Sequence, residues 1–232
     1  MLQHQPVSTI TYLATHFPAV SHTFIAGEID ALKRLGLAVV TVSINTVRDV
    51  DRAADSHGRA KTTRYLKATP RWRASVAMIA AIARHPSISL LPLRAGVGGC
   101  RAILWRYFQL AEAILLYRVM RRAGSTHVHA HFGEAPATIA WYATEIAHRY
   151  RAGRKHTWSV TIHGWHEFVG EREAMLREKI AAAQFVACVS DFTRAQLYRI
   201  AAPPDRSKIH VVRCGISLDH FSPRSTEPNN TP

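Results

Sequence analysis

"TITYLATHFPAVSHTFIAGEIDALKRLGLAVVTVSI", Thr9 to Ile44, decides the fold. It opens on the β-branched, apolar run Thr9–Ala14 and turns through "THFPAVSHT". In Phe24–Gly36, the residues Phe24, Ile25, Ile29, Leu32 and Leu35 recur at helical spacing, and Gly36 suits a C-terminal cap. Ala38–Ile44 then reads apolar nearly throughout, as a strand covered on both faces does. Strand, helix and strand in so short a stretch form a βαβ unit of a parallel sheet.

The alternation resumes at Thr126. "THVHAHF", "HTWSVTIH", "FVACVS" and "KIHVVRCG" read as strands, separated by helical stretches at Ala135–His148, Glu171–Ala183 and Asp191–Ile200. The expected fold is α/β: a single Rossmann-like domain over residues 1–221, its parallel sheet of six strands flanked by helices. Residues 222–232, "SPRSTEPNNTP", read as a linker-like or disordered tail. Between the two blocks, Asn45–Pro70 is polar and aperiodic and reads as a loop excursion. Arg71–Arg84 and Arg101–Arg122 read as helices that mix apolar side chains with arginine. Such helices either pack on the sheet or rest on an anionic membrane surface.

The 232 residues are 47% hydrophobic, enough for one sizeable core, and carry a formal charge of +14. That imbalance favours polyanions as partners. The arginines are nevertheless scattered from Arg34 to Arg224 with no run of five basic residues, so nucleic acid is not an expected partner. Cys100, Cys188 and Cys214 share no CxxC spacing, which fits a reducing cytoplasm. No N-terminal signal pattern and no stretch of 18 apolar residues is present, so the expected location is cytoplasmic, with peripheral contact at the inner membrane face through Arg71–Arg122.

In an open parallel sheet, ligands bind at the carboxyl ends of the strands. The residues just past those ends are Ser21 to Thr23, His131 to Gly133, His163 to Glu167, Ser190 with Asp191, and Arg213 with Cys214. Three chemistries compete there. His127, His129 and His131 alternate onto one face of a strand, but His127 and His129 should sit in the core, away from His131. With no HExxH and no complete histidine–carboxylate set, no metal is expected. No GxGxxG follows the first strand and no GxxxxGK[ST] occurs, which excludes a dinucleotide or P-loop site, although helix N-termini at Ser21–Thr23, Gly133 and Ser190 could hold an anion. The third chemistry is sugar transfer, with His163 meeting a sugar hydroxyl at a strand end.

Five motifs, in order, carry a resemblance across nearly the whole chain. "FPAVSHTFIAGEIDALKRLGLAVVTVSI", "HVHAHFGEAPATIA", "SVTIHGWHEF", "VACVSDFTRAQL" and "KIHVVRCGISLDHFSP" resemble the N-terminal half of a branch of glycosyltransferase family 4, usually polysaccharide-biosynthesis enzymes. His22 departs from the pattern, standing where that branch commonly has Glu. The resemblance implies one half of a GT-B fold, the acceptor-side domain, and an enzyme that moves a sugar from a nucleotide-sugar co-substrate to a saccharide or lipid-linked saccharide acceptor. It implies no other cofactor. The basic pair and ExxxxxxxE motif of the donor half have no counterpart here, so the chain is expected to be truncated, weak or inactive alone, and to work with a separate donor-domain chain. The alternative is a non-catalytic module that binds saccharide or docks on such a partner.

Carried over residue by residue, the resemblance implies that His163 is catalytic and hydrogen-bonds a donor-sugar hydroxyl. Glu167 would orient the His163–Gly164 turn or an acceptor hydroxyl, and Ser21 and Thr23 would lie on the acceptor loop. Gly133 would allow close backbone approach beneath the sugar, and His131 would line the site. Arg213 is the local candidate for offsetting diphosphate charge, or else pairs with Asp219.

Overall fold

Seven strands, all parallel, form one sheet in the order β3-β2-β1-β4-β5-β6-β7. The computed structural model describes residues 9–93, 99–150, 155–169 and 175–215. β1 (Thr9–Ala14), α1 (Thr23–Arg34) and β2 (Ala38–Ser43) build the expected first unit. The excursion that follows is more ordered than its composition suggests. It holds α2 (Asp49–Ala53), α3 (Arg59–Thr62) and β3 (Arg64–Tyr65), a seventh strand that pairs with Val42 and Ser43. α4 (Arg71–Arg84) and α5 (Cys100–Ala123) come next, α5 ending on Gly124 at φ 67°. β4 (His127–His131), α6 (Ala135–Arg149), β5 (Thr157–Ile162), α7 (Leu176–Ala182), β6 (Phe185–Cys188), α8 (Asp191–Ile200) and β7 (Ile209–Val211) complete the chain's alternation. The start of the helix expected at Glu171 and the boundary and tail expected at 221–232 lie outside the described residues.

Side-chain alternation on β1 sorts two cores onto the two sheet faces. Tyr12 and Ala14 point toward α1 and pack with Phe17, Ile25 and Ile29. Leu13 points the other way, into the larger core with Val128, Ala130, Val160 and Ile162, roofed by α5, α6 and α7. α6 is buried on almost every side, which fits its run of Ala, Ile, Trp and Tyr. α5 packs on the sheet, as one of the two readings of it expects. It packs Leu110, Ala113, Leu116 and Met120 inward, yet leaves Leu104, Trp105 and Phe108 more than half exposed near its start. Trp72, Val76 and Ile79 form a similar exposed stripe on α4. Among the described residues no single helix is long and apolar enough to cross a membrane, while α4 and the bent turn Pro86–Leu93, at 109° to each other, pass that test only as a pair.

The order reverses direction between β1 and β4, and the gap left there at the carboxyl ends is where the loops after β1, β4 and β5 meet. Asp51 of α2 fixes the first of these loops. Its buried carboxylate accepts from the Val20 N–H at 2.9 Å and from Arg48 at 2.6 Å, and the Arg48 guanidinium holds its carboxyl below the usual range. Removing a buried acceptor leaves its donors stranded, at about 1–3 kcal/mol. Asp51→Ala should lose that much stability in urea unfolding, while Asp49→Ala, exposed on the same helix, should lose less than about 0.5 kcal/mol. Equal losses would refute the anchoring role.

Candidate functional site

β4 carries His127, His129 and His131 on the α1 face, because alternate residues of a strand share a face. Its register sets His129 beside Tyr12 of β1 and beside Ser159 of β5. His127 bonds the hydroxyls of Thr157 and Ser159 at 2.7 and 2.8 Å, and His129 bonds those of Ser159 and Thr161 at 2.7 and 2.9 Å. His131 ends the line, with its Nδ1 3.1 Å from Nε2 of His163 just past β5. The expectation that His129 stands apart from His131 is corrected: their rings are 5.0 Å apart, and both are buried.

The expectation that no carboxylate completes this set is corrected as well. Glu28 of α1 reaches over the strand ends, its Oε2 3.7 Å from the Nε2 of His131. Ligand atoms of Glu28, His129 and His131 all lie within 4.8 Å of one another, a spacing a metal ion could use. They are committed elsewhere, however: Tyr12 donates to Glu28 at 2.6 Å, and both His129 nitrogens face hydroxyls. Burial pushes Glu28 up, opposed by the Tyr12 hydrogen bond, and burial with the Glu28 charge pushes the Tyr12 phenol up.

Burial also keeps the histidines neutral. It lowers His129 to about 3, assisted by the charges of His127 and His163, and lowers His163 to about 4, assisted by His22 and His166. His131 is held well below its usual value by burial first and its histidine neighbours second. A neutral imidazole has one donor and one acceptor. A proton on Nε2 of His131, facing Glu28, makes its Nδ1 the acceptor for the His163 Nε2–H. The Nδ1 of His163, which has no partner among the described residues, is then left as a lone-pair acceptor.

Aromatic rings seat His163. Phe24 and Phe132 each lie 4.7 Å from its ring, and His22 lies 5.4 Å from Phe132. His22, the departure from the family pattern, is therefore the loop residue that reaches the cluster. Ser21 and Thr23, expected there, are on the exposed side of the same loop. Phe132 adopts φ 75°, a left-handed backbone that a non-glycine residue holds only at a cost of about 1–3 kcal/mol.

Glu167 orients the turn. Its buried carboxylate accepts from the N–H groups of His163 (2.6 Å), Gly164 (3.0 Å) and Gly133. With its oxygens engaged by backbone, it is not placed to orient an acceptor hydroxyl. Burial raises its carboxyl, and the three backbone donors oppose that. Gly133 is required for a different approach than expected: a Cβ there would stand 2.7 Å from Ile162 Cδ1 and 3.2 Å from Glu167 Oε1. The close contact is within the protein. Lys179 of α7, which the sequence reading missed, holds the same residue from the other side. Its buried ammonium donates to the carbonyls of Gly133 at 2.7 Å and Glu134 at 3.2 Å, and burial brings it down to about 8. Arg213 is not gathered in. It is exposed past β7 and pairs with Asp191 at 2.7 Å; Asp219 lies outside the described residues.

A parallel sheet with its polar cluster at the β1/β4 reversal is a Rossmann-like α/β domain, and in fold it matches one half of solved GT-B structures. No protein-family model matches the chain, and no curated protein matches it by sequence. By structure, a glycosyltransferase from Rickettsia africae ESF-5 is similar at 16% identity and TM-score 0.53, over 97% of this chain and 47% of that one. Sucrose-phosphate synthase from Thermosynechococcus elongatus is similar at 15% identity and TM-score 0.53, over 93% and 50%. UDP-GlcNAc 2-epimerase from Neisseria meningitidis, bound to UDP-GlcNAc, is similar at 12% identity and TM-score 0.52, over 88% and 45%. The chain thus spans about half the length of each of these proteins. At such identities the likeness is one of fold.

Two outcomes follow from this geometry. Unfolded histidines titrate near pH 6.5 and these folded ones lower, so on acidification the unfolded state takes up protons first. Stability present above pH 6.5 should fall as the pH drops toward about 4, by up to about 1.4 kcal/mol per pH unit for each buried histidine. Urea unfolding at pH 7, 6 and 5 should show this, with a slope one proton shallower in His129→Gln; an unchanged slope would contradict it. Glu167→Ala strands three backbone donors and should lose at least about 2 kcal/mol, with Glu167→Gln, which keeps one acceptor oxygen, in between.

Proposed function

We propose that this chain is the acceptor-side half of a glycosyltransferase, moving a sugar from a nucleotide-sugar to a saccharide acceptor that is lipid-linked in the cell. The observation that carries the reading is His163: a neutral imidazole at a strand end, its ring seated by Phe24 and Phe132 and its Nε2 engaged by His131, so that Nδ1 is offered to a hydroxyl. In that role His163 accepts a hydrogen bond from a sugar hydroxyl, and the Glu167 turn fixes where it points. Phe24, Phe132 and His22 supply aromatic faces against which a sugar ring can pack.

Glycosyl transfer develops positive charge on the sugar and negative charge on the departing diphosphate. Histidines kept neutral do not offset the second charge, and Arg213 is committed to Asp191. This supports a division of labour in which a second half, on the same polypeptide or on another chain, holds the nucleotide. A saccharide-binding module that performs no transfer uses the same surface, and the experiment separates the two.

Saturation-transfer NMR of the chain against a panel of oligosaccharides, with and without nucleotide-sugars, should find a saccharide that binds independently of nucleotide. His163→Ala should weaken that binding at least tenfold, and His57→Ala, exposed and remote, should not. A panel with no binder, or binding indifferent to His163, would overturn the proposal. Full enzymes turn over at about 1–1,000 per second. Transfer at such a rate by the chain alone would refute the need for a second half.

A further inference from the structure

α4 is assembled the wrong way round for a helix that meets water. It buries small side chains, Ala77 and Ala81, and turns Trp72, Val76 and Ile79 outward at 57–66% exposure. Those three fall four and three residues apart, so they form one stripe along the helix. Its charged and hydroxyl side chains are Arg71, Arg73, Ser75 and Arg84 alone, all exposed. The start of α5 repeats the pattern, with Leu104, Trp105 and Phe108 at 56–58% exposure after an exposed Arg101. The two helices pack against each other and against the turn Pro86–Leu93, which leaves Leu90 and Leu93 exposed as well. More than half of the exposed large apolar side chains among the described residues belong to these three elements, a concentration that singly scattered surface residues do not show.

The charge on this face has one sign. No Asp or Glu occurs between Asp55 and Glu112, while basic residues recur through the whole span. Arg71, Arg73 and Arg84 have no carboxylate partner among the described residues, and the Arg73 guanidinium rests 5.0 Å from the Trp72 ring. The carboxylates of elements packed beneath the face act on other cations: Glu112 faces Lys67 at 3.8 Å, Glu145 pairs with Arg149 at 3.0 Å, and Glu134 acts on Lys179. α4 has 14 residues, about 21 Å at ~1.5 Å each, against a hydrocarbon thickness of about 30 Å. With the next turn bent away at 109°, it is shaped to lie on a bilayer rather than to cross one.

We infer that α4, the Pro86–Leu93 turn and the start of α5 form a docking surface for a bilayer of anionic lipid. Trp72 and Trp105 enter the headgroup region with the aliphatic side chains around them, and Arg71, Arg73 and Arg84 meet lipid phosphates. Such a bilayer presents hydrocarbon and negative charge together, which is what an apolar stripe flanked by arginines matches. Indole rings settle at headgroup depth, and an arginine stem lies on apolar surface while its guanidinium reaches outward, the arrangement Arg73 already has over Trp72. An acidic protein would also answer the charge. The outward side chains of α4, however, offer only the Ser75 hydroxyl as an acceptor to fix a protein's register, and a fluid bilayer needs none. The inference does not rest on the glycosyl-transfer reading.

The test is co-sedimentation of the whole chain with vesicles of phosphatidylglycerol and phosphatidylcholine in equal parts, and with vesicles of phosphatidylcholine alone. The mixed vesicles should bind at least tenfold more tightly, and added salt should weaken that binding. Three double variants of exposed residues should each weaken it about tenfold: Arg71→Gln with Arg73→Gln, Trp72→Ser with Val76→Ser, and Trp105→Ser with Phe108→Ser. Arg34→Gln with Leu35→Ser, equally exposed on α1 across the sheet, should leave it unchanged. An equal loss in the α1 pair, or binding indifferent to either aromatic pair, would reduce the effect to net charge and overturn the docking surface. No binding to the mixed vesicles would overturn it outright. A dimer that Trp72→Ser with Val76→Ser dissociates, found in its place, would give the face to a second copy of the chain.

Discussion

The buried carboxylate of Glu167 is the constraint on which the strand-end cluster depends. It gathers N–H groups from two loops, Gly133 after β4 and His163 with Gly164 after β5, into one acceptor. Lys179 takes the carbonyl of the same Gly133 from α7. Gly133 is thus held at its N–H by a carboxylate and at its carbonyl by an ammonium, from separate elements. This explains the glycine: Ile162 fills the space where any side chain would begin. It also explains why His163, which follows the strand directly, has little freedom in where it points.

A line of histidines through a protein interior is costly if they charge, and the structure avoids that by surrounding them with hydroxyls and rings. Thr157, Ser159 and Thr161, which lie beside the histidines on the same face of the sheet, bond every nitrogen of His127 and His129. His131 has no such hydroxyl for Nε2, which faces Glu28 at a distance too long for a hydrogen bond. That pair is the least satisfied part of the cluster and lies directly behind His163. The strained backbone of Phe132 belongs to the same economy. Its N–H still reaches Thr161 at 3.0 Å, continuing the ladder, while its ring is turned between His22 and His163.

The fold was legible because its signals are periodic: apolar strands and helical spacing recur over enough residues to identify six strands and the long helices. β3 was not legible, since two residues, Arg64 and Tyr65, carry no period, and only their pairing with β2 makes them a strand. His163, His131, Gly133 and Glu167 were singled out from their place after strands, and turn-orienting was one of two roles read for Glu167, but its reach to Gly133 was not legible, because that depends on which loops become neighbours. Glu28 and Lys179 did leave a trace. Glu28 falls four residues after Phe24 and next to Ile29, and Lys179 falls between Leu176 and Ile180, so each sits on the apolar stripe of its helix. A charged residue on the inward face of a short amphipathic helix is a signal that a buried partner awaits it.

The sheet's two margins have a separate consequence. Its outermost strands are its shortest, two residues in β3 and three in β7, and basic side chains flank them: Arg64 on one, Lys208 and Arg213 around the other. An open margin with so few unpaired backbone groups and so much like charge is a poor template for another strand. Among the described residues, then, the sheet margins offer little for edge-to-edge growth, and what the domain presents to a partner is side chains, at the strand ends and on the helix faces, so that shape and charge rather than backbone hydrogen bonds are the terms of recognition there.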